Sequence, residues 1–240
     1  LGMAAVVVAL VCNLGLLWST WEYGKYTTRG KSELTIDAEG LPDLHNKTGG
    51  LDRDYVTHWS YGKEESMSLL VPDIKGGATS SLVQSQQDLN NIQDPGFRKA
   101  VLDIYQGGGY VNKYWGDQEF TSGPVYLGAV VILLMLLLLA GAEARARWWM
   151  LSAIPVVLIL GQIGSPVAVG LLLITYLLVG LFLWKDTLAY ALYAAFMLTL
   201  LLSWGHNFMP LTDFFLDHVP GYNKFRAVTI ILVIVELAAP

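Results

Sequence analysis

Cysteine is nearly absent from this 240-residue chain, where Cys12 stands alone. No internal disulfide can form, which excludes the small folds that depend on such staples. Charge is also scarce. Asp, Glu, Lys and Arg make up 15% of the residues, against about 25% in an ordinary soluble domain. The basic excess that nucleic-acid binding needs is missing too, because the formal net charge is −5. Internal repeats and low-complexity tracts are lacking. A purely soluble domain, a disordered chain and a nucleic-acid binder are all excluded.

What is present is oil. Apolar residues make up 54% of the chain, and the few charges are segregated. Residues 20–124 hold 10 of the 15 Lys/Arg and 15 of the 20 Asp/Glu. The chain is thus one water-compatible segment set among runs suited to lipid.

A helix needs about 20 apolar residues to cross a bilayer core, because in hydrocarbon the backbone must satisfy its own hydrogen bonds. Residues 1–21 are free of charge throughout and predict a first span over 1–19, with Trp18 and Trp21 at interface depth. Residues 120–142 are uncharged throughout and predict a second over 125–142. The uncharged run 148–184 would be about 55 Å long as one helix, too long for a single crossing. It predicts a hairpin, with spans at 148–162 and 166–184 and its turn at Gly161, Gly164, Ser165 and Pro166. Spans at 187–204 and 227–240 complete a set of about six, separated by an external loop at 205–226. The fold class expected is an all-α polytopic membrane protein. The chain opens without Met or a basic leader and stops inside an apolar run, so it reads as an internal portion of a longer protein.

Arg145, Arg147 and Lys185 fall on one face of this arrangement, and the positive-inside rule puts that face in the cytoplasm. The 20–124 segment is then extracytoplasmic. It is too apolar and aromatic to be disordered. Asp52 suits an N-cap before DYVTHWSYG; short helices are expected at 64–70 and 80–92, and Asp94-Pro95 starts the amphipathic run FRKAVLDIY, ended by glycines 107–109. The best strand candidate is 32–36.

The residues 24–32, GKYTTRGKS, resemble a phosphate loop but have five residues between the glycines where four are needed. Arg29, Lys31 and Glu33 remain as charges just outside the membrane, either solvated or gripping a lipid phosphate. Asn46-Lys47-Thr48 has the glycosylation pattern, which arises often by chance. Residues 204–226 are aromatic and contain His206, Asn207, Asp213, Asp217 and His218, with an amphipathic interfacial helix over 211–219 as the plain reading. A divalent cation is possible there, although no HExxH-type spacing supports it. Lys224 and Arg226 precede the last span, where free N–H groups and two cations would suit a phosphate; simple snorkelling anchors are the alternative. Glu236, about 15 Å deeper along a helix, is costly in lipid and should face protein or a wet cavity. Trp115 and Asp117, just before the second span, could stack on a sugar ring and accept from its hydroxyls.

Six runs carry a resemblance: YTTRGKSEL (26–34), LDRDYVTHWSYG (51–62), LLVPDIKGG (69–77), YWGDQEFTSGPVYLG (114–128), LLSWGHNFMPLTDFF (201–215) and GYNKFRAVTIILVIVEL (221–237). Together they resemble the bacterial YfhO-type membrane protein family, over most of the chain except 148–184. The resemblance implies a GT-C-like polytopic glycosyltransferase architecture. It also implies transfer of a sugar from a polyprenyl-phosphate donor to a cell-envelope polymer, on the outer side of the cytoplasmic membrane. The family's catalytic acid belongs to an early external loop that no residue here matches. Asp117, Asp213 and Glu236 are therefore catalytic candidates by chemistry alone. Arg29, Lys224 and Arg226 are expected to hold phosphate, and Trp115, Asp117, His206 and Asn207 the sugar or acceptor. The rivals are a transporter or lipid flippase, with Glu236 on the path, and a non-catalytic scaffold subunit.

Sidedness is directly testable. With Cys12 replaced, an impermeant maleimide added to intact cells should label Asn90→Cys and spare Arg145→Cys; the opposite pattern inverts the topology.

Overall fold

The computed structural model describes residues 2–123 and 125–240, with side chains from Ala4 onward. The molecule is all-helical. Eleven α-helices occur among the described residues, along with short 3-10 turns. The strand expected at 32–36 is reduced to a single antiparallel bridge, Ile36 to Pro42. Among the described residues no longer partner segment runs beside it to extend the ladder.

The apolar runs form helices as expected, but shorter ones. α1 (Gly2–Cys12) and α2 (Leu14–Gly24) replace the first span and meet at a 64° bend. The break falls at Asn13, whose side-chain amide donates to the Ala9 carbonyl (2.8 Å). Short helices in the 20–124 segment follow: α3 (Arg53–Thr57), α4 (Gln86–Asn91) and α5 (Pro95–Gln106). α6 (Ala129–Gly141) has 13 residues, about 20 Å of helix, because Gly128 at φ 92° stops it from extending backwards. α7 (Ala144–Leu160) takes Arg145 and Arg147 into its own first turn. α8 (Pro166–Leu183) is capped by Ser165, whose side chain accepts from Ala168 N–H, and it pairs with α7 across the expected turn. α9 (Thr187–Ser203) and α10 (Met209–His218) join through the turn Gly205–Phe208 with a 109° bend. The last run becomes the 3-10 turn Val228–Ile231 and the seven-residue α11 (Leu232–Ala238). The expectation of six spans is therefore corrected. By length and composition one helix, α8, can cross a membrane, and up to three crossings exist if each bent pair counts as one. Uncharged runs measure where a chain can enter lipid; helix length depends on where glycine, asparagine and turns break the hydrogen-bond ladder.

The main core lies between α7, α8, α9 and α10, around Leu160, Val169, Leu173, Leu201, Phe208 and Leu211. α10 lies across α8 and buries Leu211, Thr212 and Leu216. The amphipathic helix expected at 211–219 is thus packed on protein along this face. The 20–124 segment has one cluster of its own, Val83, Leu89 and Val101 from α4 and α5 and the loop before them. α4 starts at a capping box between Ser85 and Asp88, and α5 at Asp94, whose side chain accepts from Phe97 N–H. Asp52 stands at the N-cap of α3, but its carboxylate pairs with Lys47 (3.0 Å). The other clusters are shared with the helices. Leu51 and Val56 pack on Leu216 and Val228, and Tyr61 and Leu69 on Leu232 and Val235.

The seam is closed by polar contacts at the end of α9. Tyr61 N–H donates to the Ser203 carbonyl (2.8 Å), His206 N–H to Ser60 Oγ (2.9 Å), and the Trp204 indole to Ser66 Oγ (2.7 Å). Gly205 makes the turn at φ 46°, and a Cβ there would stand 2.0 Å from Ser60 Oγ. Gly205→Ala combines left-handed strain with a clash and should cost about 2 kcal/mol or more. The measurement is denaturant unfolding in detergent, with a drop in midpoint at unchanged slope.

Candidate functional site

Three segments meet above the α9–α10 turn to enclose a polar cleft of about 280 Å³. They are residues 62–65, which lead into the 3-10 turn Glu64–Leu69, the loop 114–118, and Asn207 on the turn itself. Lys75 completes the lining. The seam fixes the position of Asn207, and its amide nitrogen donates both to the Tyr61 carbonyl (3.1 Å) and to Asp117 Oδ2 (3.1 Å). Asp117 is thereby aimed into the cleft while remaining exposed.

Behind Asp117 lies Glu65, 1% exposed. Its carboxylate accepts from Gly62 N–H and from the Tyr114 hydroxyl, and that hydroxyl accepts in turn from Gln118 N–H (3.0 Å). A buried carboxylate is costly unless its oxygens are hydrogen-bonded, and here both are. A Cβ at Gly62 would stand 2.9 Å from Asp117 Oδ2 and 3.0 Å from Glu65 Oε2, so the two carboxylates converge on one glycine. At the mouth, Lys75 pairs with Glu64. The Glu64 hydrogen bond, assisted by the fields of Asp117 and Glu65, holds the Lys75 ammonium above the usual lysine range, and Lys75 holds Glu64 below the usual carboxylate range. Lys63 is exposed and has no carboxylate partner among the described residues. The cleft thus presents an oriented base, two cations and a buried second acid.

The structure gathers two of the expected residues, Asp117 and Asn207, in this cleft. Trp115 is on the same loop, tied by its N–H to the Lys75 carbonyl (2.8 Å), but its exposed ring lies outside the lining. His206 is exposed, with Nδ1 3.2 Å from the Thr57 carbonyl. Arg29, Lys224 and Arg226 do not form one phosphate grip. The Lys224 ammonium donates to the Arg29 carbonyl (2.6 Å) and the Gly49 carbonyl (2.7 Å), while the Arg29 side chain is exposed. Arg226 turns instead onto the rings of Tyr55 and Trp59. No long helix starts behind these cations, since α11 has seven residues. Asp213 lies outside the cleft and is held as a staple: Arg53 binds Asp213 (2.8 Å) and Asp217 (2.9 Å) together. His218 stacks on Phe214. Among the described residues no three His, Cys, Asp or Glu side chains converge as a metal ligand set. Glu236 is exposed on α11 and does not line this cleft.

Sequence reading missed Glu65, Tyr114, Lys63 and Lys75. Glu64 and Glu65 look alike as neighbours in a polar stretch, and only the fold buries one and leaves the other at the surface. The usable signal was Gly62 and Gly116, glycines beside the residues that crowd Glu65.

Burial pushes the Tyr61 phenol up to about 12. Burial, then the Glu65 hydrogen bond, raises Tyr114 further. In the unfolded chain a tyrosine ionises near 10. These neutral phenols therefore stabilise the fold fully below pH 10, and that stability is lost as pH climbs through about 12. Tyr61→Phe should flatten the alkaline loss of unfolding free energy measured between these values.

No protein-family model, curated protein or solved structure matches this chain.

Proposed function

We propose that this chain is a portion of a polytopic glycosyltransferase of the cytoplasmic membrane, of the YfhO type, acting on the extracytoplasmic side. Its donor is a sugar on polyprenyl phosphate and its acceptor a hydroxyl of an envelope polymer. The observation that carries the reading is the Asp117 carboxylate, held by Asn207 in a charged cleft directly above apolar helices.

The chemistry asked of the cleft is a single displacement. The acceptor oxygen attacks the anomeric carbon while its proton passes to Asp117. The bond from that carbon to the phosphate oxygen breaks, and the electron pair leaves with the phosphate. Lys63 and Lys75 stabilise the charge that develops on it. Glu65 and Tyr114 touch no substrate in this scheme and hold the loop that carries Asp117. The α1–α2 pair, α6 and α8 expose apolar faces suited to a lipid partner.

The test is sugar transfer from a polyprenyl-phosphate donor by purified full-length protein. Asp117→Asn should lower kcat by about 100-fold or more, and Lys63→Gln should lower it less, both with unchanged melting temperature. Retained turnover in Asp117→Asn would remove the base from the scheme. Lipid movement across vesicles without any transfer would favour the transporter instead.

A further inference from the structure

A second cavity, of about 410 Å³, is lined by the continuation of the Asp117 loop. Its lining includes Gln118, Phe120 and Ser122 from that loop, with Trp59, Arg226 and Thr229. It is a shallow depression open to solvent, with room for a small ligand lying against its wall. The Arg226 guanidinium carbon lies 4.2 Å from the Trp59 ring centroid and 4.6 Å from that of Tyr55, and one N–H donates to the Tyr55 hydroxyl (3.1 Å). Among the described residues no carboxylate pairs with it. The neighbouring acid on the loop, Glu119, is 3.0 Å from His58 Nε2. The cation is therefore oriented by two rings, with most of its N–H fork left for a ligand.

The ligand chemistry follows from what surrounds that fork. One guanidinium matches one planar monoanion in a two-point contact. The guanidinium fork fits a carboxylate and a phosphate monoanion alike; Lys224, committed to two carbonyls, adds no second free charge for a dianion. The remaining lining is amide, hydroxyl and aromatic. Phe120 is 65% exposed and offers a ring face for the C–H side of a sugar, while Gln118, Ser122 and Thr229 suit its hydroxyls. We infer that this cavity binds a carboxylate-bearing saccharide of the uronic-acid class, with Arg226 on the carboxylate. Its place as the acceptor rests on the transfer reading above; the binding does not.

The experiment titrates full-length protein in detergent with a glucuronic-acid-containing disaccharide, the matching neutral glucose disaccharide, and inorganic phosphate, read by tryptophan fluorescence. The acidic disaccharide should bind about tenfold more tightly than the neutral one or better, and Arg226→Gln should erase that difference. Arg226→Lys, which keeps charge but loses the fork, should retain only part of it. Phe120→Ala, on an exposed ring, should weaken both sugars. Equal affinity for the two disaccharides would overturn the inference. So would a preference that survives Arg226→Gln, or displacement of the acidic disaccharide by inorganic phosphate at lower concentration than by free glucuronate. If the arginine variants fail to fold, Phe120→Ala and the phosphate competition decide. Asp117→Asn should keep the preference while losing transfer, so the two proposals fail separately.

Discussion

An apolar helix that ends must do something with its last carbonyls, and this molecule is organised around the end of α9. The final four C=O groups of any helix lack partners in the helix itself. Here the Ser203 carbonyl receives Tyr61 N–H, and the amide of His206, within the turn that follows, is received by Ser60. The 20–124 segment is thus tied to the helices by backbone hydrogen bonds that the helix end requires in any case. Asn207 is held between the Tyr61 carbonyl and Asp117 by the same contacts. Helix termination, domain docking and site geometry are one set of interactions.

Charge is used mainly to fasten. Arg53 spans two acids one turn apart on α10 and also donates to the carbonyls of His45 and Lys47. Lys224 draws the backbone at Arg29 and Gly49 together. A partly shielded ion held by several acceptors is worth more than an exposed pair, because fewer of its contacts are shared with water. Cations with so many protein partners are poor candidates for a ligand. Two cations without a carboxylate partner among the described residues, Lys63 and Arg226, border cavities.

Much of the helical content was legible from the sequence. Lipid-grade runs need no partner to be recognised, and the Gly161 to Pro166 turn, the Asp94-Pro95 start and the stop at Gly107 follow from local chemistry. Span number was not legible. Asn13 and Gly128 interrupt runs whose hydropathy is uniform, and hydropathy does not register a broken hydrogen-bond ladder. The site was half legible. Asp117 and Asn207 stand out as polar residues beside apolar runs, whereas Glu65 is indistinguishable in sequence from its exposed neighbour Glu64.

The sequence by itself determined an all-helical chain with one charged segment, because solvent preference and glycine or proline punctuation act over a few residues. Only the tertiary structure decided which charges are staples and which face a cavity. Pairing depends on residues such as Arg53 and Asp213 that are 160 positions apart along the chain. No local rule places such residues within 3 Å of each other; the fold of the helices does.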